Sequence, residues 1–136
     1  MKRYLLDTGI AAQFFERRQP IYQRADDATQ RGIRVGIAIP VVAELSAGAE
    51  NSSTRHRNLP ALRQTLLGIR TWPFDRKAAE EFGRLFAFLK RNGRQMGQNY
   101  IQIAAIAISL GGTVLVTKDS DFAAIPGLTI EDWPKL

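Results

Sequence analysis

Short apolar runs that alternate with segments of helical spacing constrain this 136-residue chain more than any other feature. Strands separated by helices favour parallel pairing, with helices packed on both faces of the sheet. The pattern therefore predicts an α/β fold, with a mainly parallel central sheet of four to five strands flanked by helices. The length suits a single domain over 1–136. The predicted strands are 3–6, 33–39, 69–74, 113–117 and 128–133.

Capping signals predict where the helices begin and end. Asp75 can cap the clearest helix, in which apolar residues recur at i, i+3, i+4 and i+7. Asn99 and Gln102 have the spacing of a capping box, which predicts that a later helix begins at Asn99 and stops at Gly111. The polar stretch 50–58 is open to two interpretations, a loop or a helix start. Other helices are predicted at 10–16, 20–31, 40–49 and 59–68.

The composition limits the classes of function. The chain has no cysteine, which excludes disulfides, thiolate metal sites and cysteine nucleophiles. Its net charge of +6 favours an acidic partner, of which nucleic acid is the commonest. No apolar run approaches the length of a membrane span, and the amino terminus reads poorly as a signal peptide. We therefore expect a cytoplasmic protein with no membrane partner.

Four carboxylates fall where ligands bind in parallel α/β sheets, beyond the carboxyl ends of the strands. Asp7 directly follows the first predicted strand, and Glu44 lies about one turn into the helix after the second. Asp119 and Asp121 follow the strand 113–117. These acids come from distant parts of the sequence, yet the topology predicts that they meet at one edge of the sheet.

Carboxylates gathered in one place repel each other unless a cation lies between them. Oxygen-only ligands suit Mg²⁺ or Mn²⁺, and such an ion can activate water and stabilise charge on a phosphoryl group. A basic surface around this pocket would suit a nuclease. Each acid also has a simpler interpretation: Asp7 could only cap a helix, Glu44 could be a surface charge, and Asp119 or Asp121 could shape a turn.

Four stretches in the same order and at suitable spacing resemble the PIN-domain ribonucleases, and specifically the VapC-type toxins of toxin–antitoxin systems. They are YLLDTGI, IPVVAEL, GQNYIQIAAIAISLGGTVLVTKDSDF and IPGLTIEDW. The resemblance covers essentially the whole chain. It implies a PIN fold, Mg²⁺- or Mn²⁺-dependent cleavage of RNA, inhibition by a cognate VapB-type antitoxin, and a homodimer or a higher-order toxin–antitoxin complex.

The resemblance also implies which residues of this sequence form the site. Asp7 and Glu44 match the family's first and second acids, and Asp119 matches the acid or amide after the fourth strand. These three are the implied catalytic residues. Asp7 and Asp119 are the principal implied metal ligands, with Glu44 and the less regular acid Asp121 as further ones. The implied supporting residues beside the site are Thr8, Thr117, Asn99 and Tyr100.

The chain departs from the family pattern at two positions. Gly9 stands where the family commonly has Asn, which loosens support around Asp7 without removing a ligand. Tyr100 stands where the family has its third acid. A neutral phenol gains nothing from the helix dipole and is a poor metal ligand, although its ring could stack a base. We expect a ribonuclease scaffold with impaired activity.

Tyr100 leaves other interpretations open. The chain could be a variant with one acid removed, or a homologue that binds antitoxin or RNA without cleavage. The remaining acids, Asp7, Glu44, Asp119 and Asp121, could also still hold one metal weakly. A phosphoacceptor domain of the response-regulator type is disfavoured. Such domains usually have an adjacent acid pair after the first strand and an acceptor Asp after a central one, whereas here Asp7 stands alone and strand 33–39 is followed by Pro40. Candidate RNA contacts are Arg17, Arg18, Arg55, Arg57, Arg91 and Arg94.

Overall fold

Five parallel strands form the centre of the protein in the computed structural model, which describes residues 2–133. Their order across the sheet is β3-β2-β1-β4-β5, and each neighbouring pair runs parallel. The predicted α/β fold with its mainly parallel sheet is confirmed. The strands are β1 at Arg3–Leu6, β2 at Arg34–Ala38, β3 at Arg70–Trp72, β4 at Thr113–Val116 and β5 at Thr129–Glu131.

Helices connect successive strands, and α5 packs extensively on α6. The central strand β1 lies between β2 and β4, so Leu5 and Leu6 are fully buried. Helix α6 is apolar around most of its circumference, as expected for a helix inside the protein. The helices are α1 at Thr8–Phe15, α2 at Ile21–Gln30, α3 at Ile39–Glu50, α4 at Arg55–Leu66, α5 at Arg76–Arg91 and α6 at Gln98–Leu110, with a short 3₁₀ helix at Ser120–Ala124.

The start of α6 differs from the prediction. The helix begins at Gln98, its N-cap is Gly97, and no side chain caps it. The predicted capping box of Asn99 and Gln102 is therefore wrong. Asn99 lies inside the first turn, and its Nδ2 instead donates to Glu44 Oε1 at 3.3 Å. A contact to a residue 55 positions away thus replaced the local contact that the pattern favoured.

Other boundaries shift for local reasons. Helix α1 begins at Thr8, two residues before the predicted start, because the Asp7 side chain accepts from Thr8 N and caps it. The open stretch 50–58 contains both alternatives: a turn, then the start of α4 at Arg55. The predicted cap of α5 is confirmed, since Asp75 accepts from Ala78 N at 2.9 Å. No helix within residues 2–133 is long and apolar enough to cross a membrane.

Candidate active site

The carboxyl end of β1, the start of α1, the second turn of α3 and the start of α6 surround a cavity of about 820 Å³. Asp7 reaches it from the end of β1, and Glu44 from the second turn of α3. Tyr100 enters from the first turn of α6. The cavity lies at the edge of the sheet that the sequence predicted. Its walls are Asp7, Thr8, Gly9, Glu44, Gly97, Gln98, Asn99, Tyr100 and Ile103.

Asp7 is held by two hydrogen bonds, one to each carboxylate oxygen. Oδ1 accepts from Thr8 N at 2.8 Å and thereby caps α1, and Oδ2 accepts from Thr117 Oγ1 at 2.8 Å. Burial raises the pKa of Asp7 above its usual 3.8. The two hydrogen bonds lower the pKa, whereas the charges of Glu44 and Asp119 raise it further. Asp7 is therefore a fixed carboxylate whose negative charge is costly in the folded chain.

The raised pKa of Asp7 predicts a pH-dependent gain in stability when its charge is removed. The folded chain keeps the Asp7 proton to a higher pH than the unfolded chain, so the contribution of Asp7 to stability falls as pH rises from the unfolded value of 3.8 through the folded pKa. We expect Asp7→Asn to unfold at a higher temperature than the parent at pH 7. The gain should disappear at a pH below both pKa values, where Asp7 is neutral in either state.

Thermal unfolding between pH 3 and pH 8 in EDTA measures this effect, with Asp26→Asn as the control. Asp26 is exposed on α2 and accepts a hydrogen bond from Gln30. A Tm difference between Asp7→Asn and the parent that is the same at every pH would contradict the electrostatic explanation.

Thr117 connects the two acids that follow β1 and β4. Its side chain is 2% exposed, its hydroxyl donates to Asp7 Oδ2 at 2.8 Å, and the same oxygen accepts from Asp119 N at 3.0 Å. Asp119 Oδ1 in turn accepts from Asp121 N at 3.0 Å, which caps the 3₁₀ helix. The predicted supporting role of Thr117 thus corresponds to a hydroxyl that positions both Asp7 and the backbone of Asp119.

Replacing Thr117 with valine is expected to destabilise the fold by about 1–3 kcal/mol, because it leaves the partly buried Asp119 N–H and Asp7 Oδ2 without this partner. Chemical denaturation measures the change. Thr117→Ser, which keeps the hydroxyl, should recover most of the loss. Thr113→Val, at the start of the strand that Thr117 follows, is the control, since the Thr113 hydroxyl only donates to the nearby Gly111 carbonyl at 2.9 Å. Equal losses at the two positions would refute the bridging role of Thr117.

Tyr100 lies between the cavity and Asp119. Its ring packs on the buried Phe122 with centroids 5.1 Å apart and planes inclined by 58°. A hydrogen bond to Asp119 and the charge of that carboxylate raise the pKa of Tyr100 above its usual 10.0. The phenol is therefore neutral at neutral pH and lies close to the Asp119 carboxylate. Among the described residues, Tyr100 lines the cavity but Asp119 does not.

The structure brings together only some of the residues that the sequence nominated. Asp7, Glu44 and Asp119 are near enough for their charges to raise the pKa of Asp7. Asp121 is exposed, and its backbone rather than its carboxylate contacts Asp119. Gly9 lines the cavity with open space around it, so its missing side chain leaves room beside Asp7.

The nominated arginines lie apart from the cavity walls. Arg17 rests over the ring of Tyr22 at 5.7 Å, and Arg18 pairs with Glu16 at 3.3 Å. Arg94 lines an adjoining groove. Sequence reasoning also missed Ile103 and Phe122, which shape the cavity and support Tyr100. Ile103 lies three residues after Tyr100 on the same helical face, and this spacing could have identified it.

The oxygen donors of this cavity fit a hydrated divalent cation better than a dehydrated one. Among residues 2–133, no three acidic, histidine or cysteine side chains are arranged as a complete metal site. Mg²⁺, however, commonly binds through one or two carboxylates and keeps several waters. Thr8 Oγ1, beside Asp7, is a buried oxygen without a hydrogen-bond partner in the described part of the chain. A cation-bound water would supply that partner, so Asp7 and the Thr8 hydroxyl beside it fit a hydrated ion.

Known proteins resemble this chain over nearly its whole length. The PIN domain family model matches residues 4–128. Ribonuclease VapC2 of Haemophilus influenzae is 31% identical over 98% of this chain and 99% of its own length. The tRNA(fMet)-specific endonuclease VapC of Shigella flexneri is also 31% identical, with the same coverage. A crystal structure of DNA-bound VapBC from Salmonella typhimurium has a TM-score of 0.87 at 32% identity, over 98% of this chain and 99% of the matched chain.

Proposed function

Because this chain belongs to the PIN domain family and is related to VapC-type ribonucleases, we propose that it is the ribonuclease toxin of a VapBC-type toxin–antitoxin pair. The proposed reaction is hydrolysis of an RNA phosphodiester bond. The observation that carries this proposal is the convergence of Asp7, Glu44 and Asp119, from three distant segments, on one edge of the sheet. The charges of Glu44 and Asp119 make Asp7 costlier to ionise, which does not stabilise the edge of the sheet but suits the binding of a cation.

The proposed cofactor is Mg²⁺ or Mn²⁺. Asp7 and Asp119 would hold it, with Glu44 acting through water and Asp121 further out. When bound, the ion would lower the pKa of a water and stabilise negative charge on the phosphoryl group. Thr117 would keep Asp7 and Asp119 in register, through the hydroxyl that both contact. Asn99 would orient Glu44, to which its amide donates at 3.3 Å.

Tyr100 supports a second candidate, a PIN-domain protein that binds antitoxin or RNA without cleaving it. The phenol lies beside Asp119, which is one of the two principal ligands proposed for the cation. This contact competes with the cation for the same carboxylate. We therefore expect this chain to cleave RNA slowly. If cleavage is absent altogether, the chain is the binding protein.

The proposed protein partner is a VapB-type antitoxin. Solved structures similar to this chain include VapBC complexes bound to DNA, among them VapBC2 from Rickettsia felis with a promoter fragment. By analogy, the proposed assembly of this chain is a homodimer that joins its antitoxin in a larger complex. Co-expression with the candidate antitoxin, followed by sizing of the purified complex, tests this part of the proposal.

The nuclease proposal is tested by incubating a panel of structured RNAs with the chain in Mg²⁺, Mn²⁺ or EDTA. Slow cleavage that needs the cation and is lost in Asp7→Asn would support it. Metal-independent cleavage, or cleavage that survives in Asp7→Asn, would point to a contaminating nuclease. No cleavage by the parent or by the Tyr100→Asp chain, with both folded, would favour the binding protein.

A further inference from the structure

A second groove adjoins the active-site cavity and has a different chemical character. It measures about 520 Å³ and lies between the end of α5 and the start of α6. Gly97 and Gln98 belong to the walls of both, so the groove and the cavity are continuous. We call it the α5–α6 groove; its walls include Phe86, Leu89, Lys90, Arg94, Met96 and Gln98.

The charge of the α5–α6 groove is positive. Lys90 and Arg94 line it, and no acidic residue does so among the residues described. The ion pairs within the described part of the chain use other cations, namely Lys2, Arg18 and Arg84. The backbone of Arg94 is fixed, because its N–H donates to the Leu89 carbonyl at 2.9 Å. The groove thus presents two exposed cations, neither of them in those ion pairs, to an anionic ligand.

An aromatic ring stands at each end of this path. At the outer end, Phe86 is 41% exposed and stacks on Phe82 with centroids 5.9 Å apart. At the inner end, Tyr100 is held between Phe122 and the active-site cavity. Basic grooves with aromatic platforms are the usual means of binding single-stranded nucleic acid, since phosphates meet the cations and bases stack on the rings.

We infer that the α5–α6 groove binds a single-stranded segment of RNA and leads it into the active-site cavity. Lys90 and Arg94 contact its phosphates, and one base stacks on Tyr100. This inference rests on the proposed ribonuclease function and gives the substrate a class and a path. It also gives Tyr100 a function: the side chain that hinders cation binding at Asp119 contributes to RNA binding.

The experiment measures binding of a fluorescently labelled single strand of about eight nucleotides by anisotropy in EDTA, over a range of salt concentrations. Lys90→Ala with Arg94→Ala should weaken binding and reduce the slope of log affinity against log salt by about 0.7 for each lost phosphate contact. Tyr100→Ala should weaken binding about tenfold, whereas Tyr100→Phe, which keeps the ring, should bind as the parent does. The same strand annealed to its complement should bind less tightly.

The matched control is Arg31→Ala with Arg63→Ala, which removes the same charge from two exposed positions, the C-cap of α2 and the last turn of α4. All variants are first compared by circular dichroism and thermal unfolding. Equal weakening by the control pair would overturn the inference, because only net charge would matter. Unchanged RNA binding by the Lys90→Ala, Arg94→Ala variant would overturn the inference as well. If that variant also dissociates a dimer, the groove is an interface between two copies of the chain.

Failure of this inference is distinguishable from failure of the proposed function. If Tyr100→Asp cleaves RNA with metal but Lys90→Ala with Arg94→Ala leaves RNA binding unaltered, the nuclease proposal is supported and the groove assignment is wrong. If the groove variants weaken RNA binding as expected but neither the parent nor Tyr100→Asp cleaves RNA, the groove assignment is supported and the ribonuclease proposal is wrong.

Discussion

Replacing Tyr100 with aspartate is expected to raise metal-dependent RNA cleavage by at least about tenfold, and by as much as about a hundredfold. Two effects act together. The phenol no longer engages Asp119, and a carboxylate takes its place beside the cavity. Position 100 is the third residue of α6, where a negative charge interacts favourably with the helix dipole. Initial rates with Mg²⁺ and with Mn²⁺, compared with the parent, measure the change.

Tyr100→Asn separates the two effects, because it removes the ring but adds no charge. If a missing ligand limits the parent, the asparagine chain should stay close to parental activity. If obstruction by the ring is the limit, asparagine and aspartate should activate alike. A cation-induced rise in thermal midpoint gives a second measurement that does not depend on cleavage. If neither the cleavage rate nor the cation effect increases in Tyr100→Asp, Tyr100 is not what limits the site.

Tyr100→Asp should also weaken RNA binding in EDTA, since the aromatic ring on which a base stacks is lost. Opposite changes in metal-free affinity and in cleavage rate would distinguish a residue that holds substrate from one that only blocks the cation.

Replacing Gly36 with alanine is expected to have the largest effect on folding, about 3 kcal/mol of lost stability or failure to fold. Gly36 lies in β2 and pairs with Arg70 of β3. A Cβ at this position would overlap the Arg70 carbonyl oxygen and would lie 2.6 Å from Trp72 Cζ3. The carbonyl belongs to the backbone of the neighbouring strand, so it cannot move aside without disturbing the sheet. Chemical denaturation of the purified variant measures the loss.

Gly83→Ala is the control for this substitution. Gly83 lies in α5, and a Cβ there would meet no atom within 4 Å. Alanine is the better helix former, so stability should rise by about 0.5–1 kcal/mol. Trimming the second obstacle with Trp72→Leu should not rescue Gly36→Ala, because the clash with the Arg70 carbonyl remains. A rescue would show that the indole, and not the backbone, sets the cost.

Much of the fold was readable from the sequence because its signals are local. The apolar runs identified the strands, and Asp75 marked the start of α5 by a bond to a residue three positions away. The start of α6 was misread for the opposite reason. Asn99 carries a good local capping signal, but its amide contacts Glu44 across the site. A capping pattern cannot show that a distant partner competes for the same side chain.

The sequence by itself determined which acids follow which strands, and therefore that Asp7, Glu44 and Asp119 meet at one edge of a parallel sheet. It also determined that Tyr100 occupies a position suited to a carboxylate. Only the tertiary structure decided what Tyr100 does there: its ring packs on Phe122, and its phenol lies close to the Asp119 carboxylate. The positions of the strands follow from periodicity along the chain, whereas a side chain's partner depends on which distant groups the fold brings within hydrogen-bond reach.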